Sequence, residues 1–104
     1  MNVMIDGSPV KIPFTFQSLR ALAKALSAPK IADLETMINK IGFDNCVNLT
    51  GVMIRTNDPN ITDEMIEASI EDAGFPIRLI EAIGEALTGP KNAETVVKEI
   101  NEGN

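Results

Sequence analysis

The chain contains no histidine, no tryptophan and no tyrosine, a single cysteine, and four phenylalanines as its only aromatics. Each absence removes a chemistry. Without histidine neither a Ser-His-Asp nor a Cys-His nucleophile can be assembled, and the commonest general base near neutral pH is missing. The one cysteine, Cys46, forbids an intrachain disulfide. It lies in the most apolar stretch with no cation spaced to lower its pKa, so it reads as a structural thiol rather than a nucleophile. No basic segment followed by an apolar run opens the chain, and no apolar run approaches the roughly 20 residues that cross a bilayer. A protein of a reducing cytoplasm with no membrane partner is expected.

Positive charge is scarce as well. Nine basic residues stand against fifteen acidic ones, a formal net charge of −6, and such a field repels phosphate backbones, which argues against a nucleic-acid partner. The glycines do not build a phosphate loop: Gly84 and Gly89 are isolated, and no Gly-Lys-Ser/Thr occurs. A calcium loop through Asp58, Asn60, Thr62 and Glu64 fails because no glycine stands at its sixth position and Ser69 occupies the twelfth. Glu64, Glu67 and Glu71 are expected near one face of a fourth helix, and Glu81 with Glu85 on one face of a fifth. The Glu-x-x-His partner of carboxylate metal sites is missing, so both sets read as solvated acidic faces. The same two helices, joined through Gly74-Phe75-Pro76, would put Glu81 and Glu85 against a single Arg78 toward DNA, the wrong sign for a helix-turn-helix reader. The residues therefore predict no enzyme, no cofactor and no metal.

Against these deficits, Leu, Ile, Val and Phe supply 30 of the 104 residues, enough for one packed domain without staples. The fold class expected is α+β and predominantly α-helical: an N-terminal β-hairpin over residues 2–16, packed on a bundle of about five helices over residues 17–89. In the hairpin, Asp6-Gly7 provides the positive φ of a tight turn, and Val10, Ile12, Phe14 and Phe16 fall on one face at period two. Pro13 marks an edge or a bend. From Gln17 the period changes, and Leu19, Leu22, Ala23 and Leu26 form a helical stripe that Ser27-Ala28-Pro29 interrupts. Ile31, Leu34, Ile38 and Ile41 form a second, ending at Gly42 as a left-handed cap. Residues 43 to about 56 have almost no polar face and read as a buried central helix, with Gly51 marking a close approach of another helix. Thr62 is the N-cap of the fourth helix, Ile61 and Ile66 form its hydrophobic staple, and Gly74 ends it with Phe75 touching Ile70. Ile77, Ile80, Ile83 and Leu87 carry the fifth, which stops at Thr88-Gly89-Pro90. Residues 1–90 are thus one compact domain, and 91–104 a short helix or a mobile tail.

Taken in order, these features resemble the small tail assembly chaperones of long-tailed bacteriophages and prophages. The residues that carry the likeness are Val3-Met4-Ile5-Asp6-Gly7, then Phe14-Thr15-Phe16-Gln17-Ser18-Leu19-Arg20, then Val52-Met53-Ile54-Arg55 followed by Asn57-Asp58-Pro59-Asn60-Ile61-Thr62-Asp63-Glu64-Met65-Ile66, and last Glu71-Asp72-Ala73-Gly74 through Ile83-Gly84-Glu85-Ala86-Leu87. It covers residues 1–88. The resemblance implies a non-enzymatic viral chaperone of the bacterial host cytoplasm, absent from the finished virion. It implies that the chaperone binds the tape-measure protein, and the tail-tube protein as a further partner, before the tube polymerises.

An exposed apolar surface is what such binding needs. Candidates for it are Phe14 and Phe16 on the hairpin, Met37 on the second helix, Met65 on the fourth, and Val96, Val97 and Ile100 in the tail. Two other classes stay open: a small acidic inhibitor or antitoxin-like regulator of a basic partner protein, and an enzyme with a carboxylate-only site. Self-association into a homo-oligomer through helices is compatible with all of these.

Overall fold

A computed structural model describes residues 1–88. Strands β1 (Asn2–Ile5) and β2 (Ser8–Lys11) pair antiparallel with Val3 opposite Val10 and Ile5 opposite Ser8. Asp6 and Gly7 both have positive φ, 51° and 80°, the two-residue turn whose twist suits a hairpin. The nitrogen of Ile12 donates to the Met1 carbonyl at 2.9 Å. Counting back from that bond, the alternation of the ladder puts Pro9 at a non-hydrogen-bonded position, where its missing N–H removes nothing. The hairpin is shorter than the sequence suggests, because β2 stops at Lys11 and Pro13 is buried without a donor to extend it. The period-two face ends with it. Ile12 is fully buried and Phe14 half-buried, but Phe16 turns outward as the first residue of a helix.

That helix, α1 (Phe16–Ala25), begins in a knot of side-chain bonds. Thr15 Oγ1 accepts from the Ser18 nitrogen at 3.2 Å, and Ser18 Oγ accepts from the Thr15 nitrogen at 2.9 Å, a reciprocal capping box. The same Ser18 hydroxyl donates to the Pro13 carbonyl at 2.6 Å. A fully buried serine therefore ties the exit of the hairpin to the start of the helix. The far end closes as a Schellman motif: Ala28 N donates to Ala23 O at 2.9 Å and Ser27 N to Lys24 O at 3.2 Å, with Ser27 at φ 54°.

Helix α2 (Ile31–Ile41) buries Leu34 and Ile38. Gly42 does not end it in the left-handed conformation, since its φ is −61°. A side chain is excluded there for a different reason: a Cβ would strike the Ile38 carbonyl and approach Ile80 Cγ1 to 2.8 Å. Helix α3 (Cys46–Ile54) is shorter than expected, with 43–45 in a turn, but it is the buried centre, and Cys46, Leu49, Thr50, Gly51, Met53 and Ile54 are all inside. Gly51 does mark a close approach. A Cβ there would collide with Asp63 Oδ1 and stand 2.7 Å from Arg55 Nη1, because the Arg55–Asp63 ion pair, 2.8 Å long, lies across the bare backbone.

Helix α4 (Asp63–Ser69) starts at Thr62, whose Oγ1 accepts from the Met65 nitrogen at 3.2 Å, and Ile61 and Ile66 are both buried as its staple requires. It ends at Ser69 rather than Gly74, with Ile70 extended at ψ 107°. Gly74 instead precedes helix α5 (Phe75–Thr88), and Phe75 and Pro76 form the buried first turn of that helix rather than a cap contact with Ile70. Proline is tolerated there because the first-turn N–H groups have no partner within the helix. With Phe75, Leu79, Ile83 and Leu87 as the buried stripe, Ile77 stands about 160–200° around the helix and is 52% exposed. The expected stripe through Ile77 is thus displaced onto Leu79.

Around α3 pack α1 and α4, β1 lies on α4, and α2 pairs with α5, which also touches α3. The α+β hairpin-and-bundle architecture is as expected; residues 89 and 90 and the tail 91–104 lie outside the described residues. Two substitutions test this packing. Ser18→Ala should lower stability by about 1–3 kcal/mol, because it leaves the Thr15 donor unpaired and cuts the bond to Pro13. Thr50 Oγ1 is buried without a hydrogen-bond partner, so Thr50→Val should raise stability by about 1 kcal/mol; urea unfolding followed by circular dichroism reads both.

Candidate functional site

The residues expected to bind a partner do not form one patch. Phe14, Met37 and Met65 are half-buried and pack against the core. Phe16 is 78% exposed at the start of α1. Val96, Val97 and Ile100 lie outside the described residues. Three further large apolar side chains are more than half exposed, Met4 on the outer face of β1, Phe43 in the turn after α2, and Ile77 on α5. From the sequence alone Phe43 is expected in the central helix and Ile77 in a buried stripe, so neither stands out as surface.

Two depressions among the described residues bear on binding. One, about 160 Å³, is a groove between α2 and α5 with Ile38, Ile80, Ile83 and Leu87 along its floor and Glu35 and Glu81 at its rim. Gly84 opens it, for a Cβ added there would meet nothing within 4 Å. The other is wide and shallow, about 450 Å³, and runs beside α1 over Ala23, Ala28 and Pro29 under Arg20 and Lys24. The two differ in sign.

That difference extends over the domain. Residues 1–45 carry five cations and four anions, whereas residues 46–88 carry two cations and eight anions. Both cations of the second half are already engaged, Arg55 with Asp63 and Arg78 with Asp72 at 2.9 Å. Glu64, Glu67, Glu81 and Glu85 are exposed, as solvated acidic faces should be, although Glu71 falls beyond the end of α4 and shares no helix face with the first two. Among the described residues no group of three or more His, Cys, Asp or Glu gathers closely enough to hold a metal ion, and no helix is long and apolar enough to cross a membrane.

Two titratable groups are displaced from their usual behaviour. Burial pushes the Cys46 thiol up, against the smaller opposing effect of the backbone N–H groups of Val47 and Cys46. Its thiolate is disfavoured, as the reading of a structural cysteine requires. Asp72 is held below the usual carboxylate range, first by the N–H of Gly74, whose nitrogen is 2.7 Å from Oδ1, and then by the Arg78 guanidinium. Because its folded pKa is the lower one, its contribution is present above the unfolded value and is lost as pH falls through the folded value. Full exposure keeps that contribution small. An acid titration of stability should show this loss in the parent and not in Asp72→Asn, and an identical acid limb in both would remove Asp72 from the start of α5.

Compared with protein-family models, with curated proteins and with solved structures, the chain matches none.

Proposed function

We propose that this chain is a protein-binding chaperone of the phage tail assembly kind, which holds the tape-measure protein, with the tail-tube subunit as a further client, before the tube polymerises. The observation that carries the reading is the groove between α2 and α5. Its floor is apolar, it is open at Gly84, and it has room for an apolar side chain from a partner helix. A tape measure is a long helical rod with apolar stripes, and a groove between two helices covers one such stripe at a time. Phe43, just beyond the contact of Gly42 with Ile80, and Phe16 on α1 add exposed apolar surface for the same purpose.

The physics of release suits the role. A shallow groove gives a small interface, and small interfaces exchange readily. Net charge −6 keeps a complex with an apolar client in solution in the host cytoplasm, and a chaperone that dissociates leaves no copy in the virion.

Co-expression with candidate tape-measure and tail-tube proteins tests the proposal. The parent should keep an otherwise insoluble client in the soluble fraction and co-purify with it, while Gly84→Met, whose Cβ meets no neighbour and whose side chain occupies the groove, should lose the client yet keep its circular dichroism spectrum. Gly84→Ala separates blocking from folding, since it should stabilise the chain by up to about 1 kcal/mol through helix propensity alone. Retained rescue in Gly84→Met would take binding away from the groove, and no rescue by the parent would leave the acidic inhibitor of a basic protein as the better account.

A further inference from the structure

Two outward helix rows of this domain are written in the same pattern with opposite charge. On α1, Phe16, Arg20 and Lys24 stand at i, i+4 and i+8, and on α5, Ile77, Glu81 and Glu85 stand at the same spacing. All six are exposed, with Phe16 at 78% and Ile77 at 52%. None of the four charged side chains makes an ion pair within the domain, where the two salt bridges among the described residues are Arg55–Asp63 and Arg78–Asp72. The likeness includes the gaps. Ala23 on α1 and Gly84 on α5 occupy the same place in each row, one before the last charge, and each opens onto one of the two surface depressions.

Helices pack closely when their i±4 rows lie alongside each other, at a crossing angle of about −50°. Laid together in the same chain direction, these rows set Phe16 against Ile77, Arg20 against Glu81 and Lys24 against Glu85, with Ala23 facing Gly84 where the backbones come closest. α1 is not among the elements packed closely on α5, which are α2 and α3. A complementary row for either is therefore free to come from another molecule.

We propose that the α1 row of one copy docks onto the α5 row of a second copy. The occupant is fixed by charge: the acidic half of this same chain is the surface that Arg20 and Lys24 match, and a neighbour with a basic row would be repelled. The contact is heterologous, since each copy offers one row and receives on the other, so association runs head to tail and ends either by closing a ring or by exhausting the supply of chain. Its charges are exposed, so it weakens as salt shortens their reach. Its test uses this chain alone, and so stands whether or not the chain binds a tape measure.

The experiment is sedimentation equilibrium of the full chain over a range of concentrations, at low and at high salt. The parent should exceed the 11.2 kDa monomer mass increasingly with concentration at low salt and return toward it at high salt. Arg20→Glu with Lys24→Glu should remain a monomer, as should Glu81→Lys with Glu85→Lys, each dissociating more than about tenfold more readily because like charges now face each other. An equimolar mixture of those two double variants separates this surface from a general charge effect. It sets the untouched α5 row of the first against the untouched α1 row of the second, and the reversed α1 row of the first against the reversed α5 row of the second, so association should resume with the two variants alternating. A chain carrying all four changes should associate again. A parent that stays monomeric at low salt and high concentration would overturn the proposal. So would double variants that associate like the parent, or a mixture in which neither variant binds the other; unchanged circular dichroism keeps misfolding apart from each result.

Discussion

The shape of this domain depends on one nine-residue helix that has almost no side to give to water. In α3 the buried residues Cys46, Leu49, Thr50, Met53 and Ile54 point in several directions at once, and a helix apolar nearly all round is stable only if neighbours enclose it. α1, α4 and α5 do this. The close approach on the α4 side is possible because Gly51 has no side chain, which lets Arg55 reach over the backbone to Asp63 and, at 3.1 Å, to the Ile61 carbonyl. One missing Cβ thus aligns a turn, an ion pair and a helix start. The enclosure has an internal cost, for the Thr50 hydroxyl is taken from water without a partner.

If α3 sets the centre, the caps set where its neighbours begin and end. Thr15 and Ser18 start α1 at Phe16, Ser27 stops it one turn before α2, Thr62 starts α4, and Asp72 precedes α5. Each step along a helix turns the side chain by about 100°, so once packing buries one stripe the exposed rows follow from it. Burial of Phe75, Leu79, Ile83 and Leu87 on α5 turns Ile77, Glu81 and Glu85 out, and burial of Ser18 and Leu22 on α1 leaves Phe16, Arg20 and Lys24 exposed. The exposed rows are consequences of packing as much as of composition.

These surfaces divide between two kinds of recognition. The groove between α2 and α5 is apolar in floor and acidic on both rims, with Glu35 on α2 and Glu81 on α5, and suits a client's helical stripe. The rows on α1 and α5 are mostly charged, and suit an orienting contact whose strength depends on salt. Because Glu81 borders the groove and also belongs to the α5 row, a neighbouring copy seated on the row would lie beside any client in the groove. Coupling between self-association and client binding is then a matter of geometry, with no change of fold needed.

Local chemistry was legible without the structure. Asp6-Gly7 specifies its turn, Thr62 with Ile61 and Ile66 specifies a helix start, and the lack of any polar face over 46–54 specifies a buried helix, because each of these depends on residues within a few positions of one another. The roles of Pro13, Gly42, Gly74 and Ile77 were not legible, since a strand's end, a helix crossing and a helix's rotation are decided by distant neighbours: Ser18 for Pro13, Ile80 for Gly42, the core around α3 for Phe75 and hence for Ile77. The site followed the same division. Phe16 was recognisable as a candidate, but its exposure, the groove at Gly84 and the matched rows exist only once α2 lies on α5 and α1 lies on α3 with its other face outward. Elements and charge are properties of the chain read in order, whereas grooves and faces are created by segments far apart in sequence coming into contact.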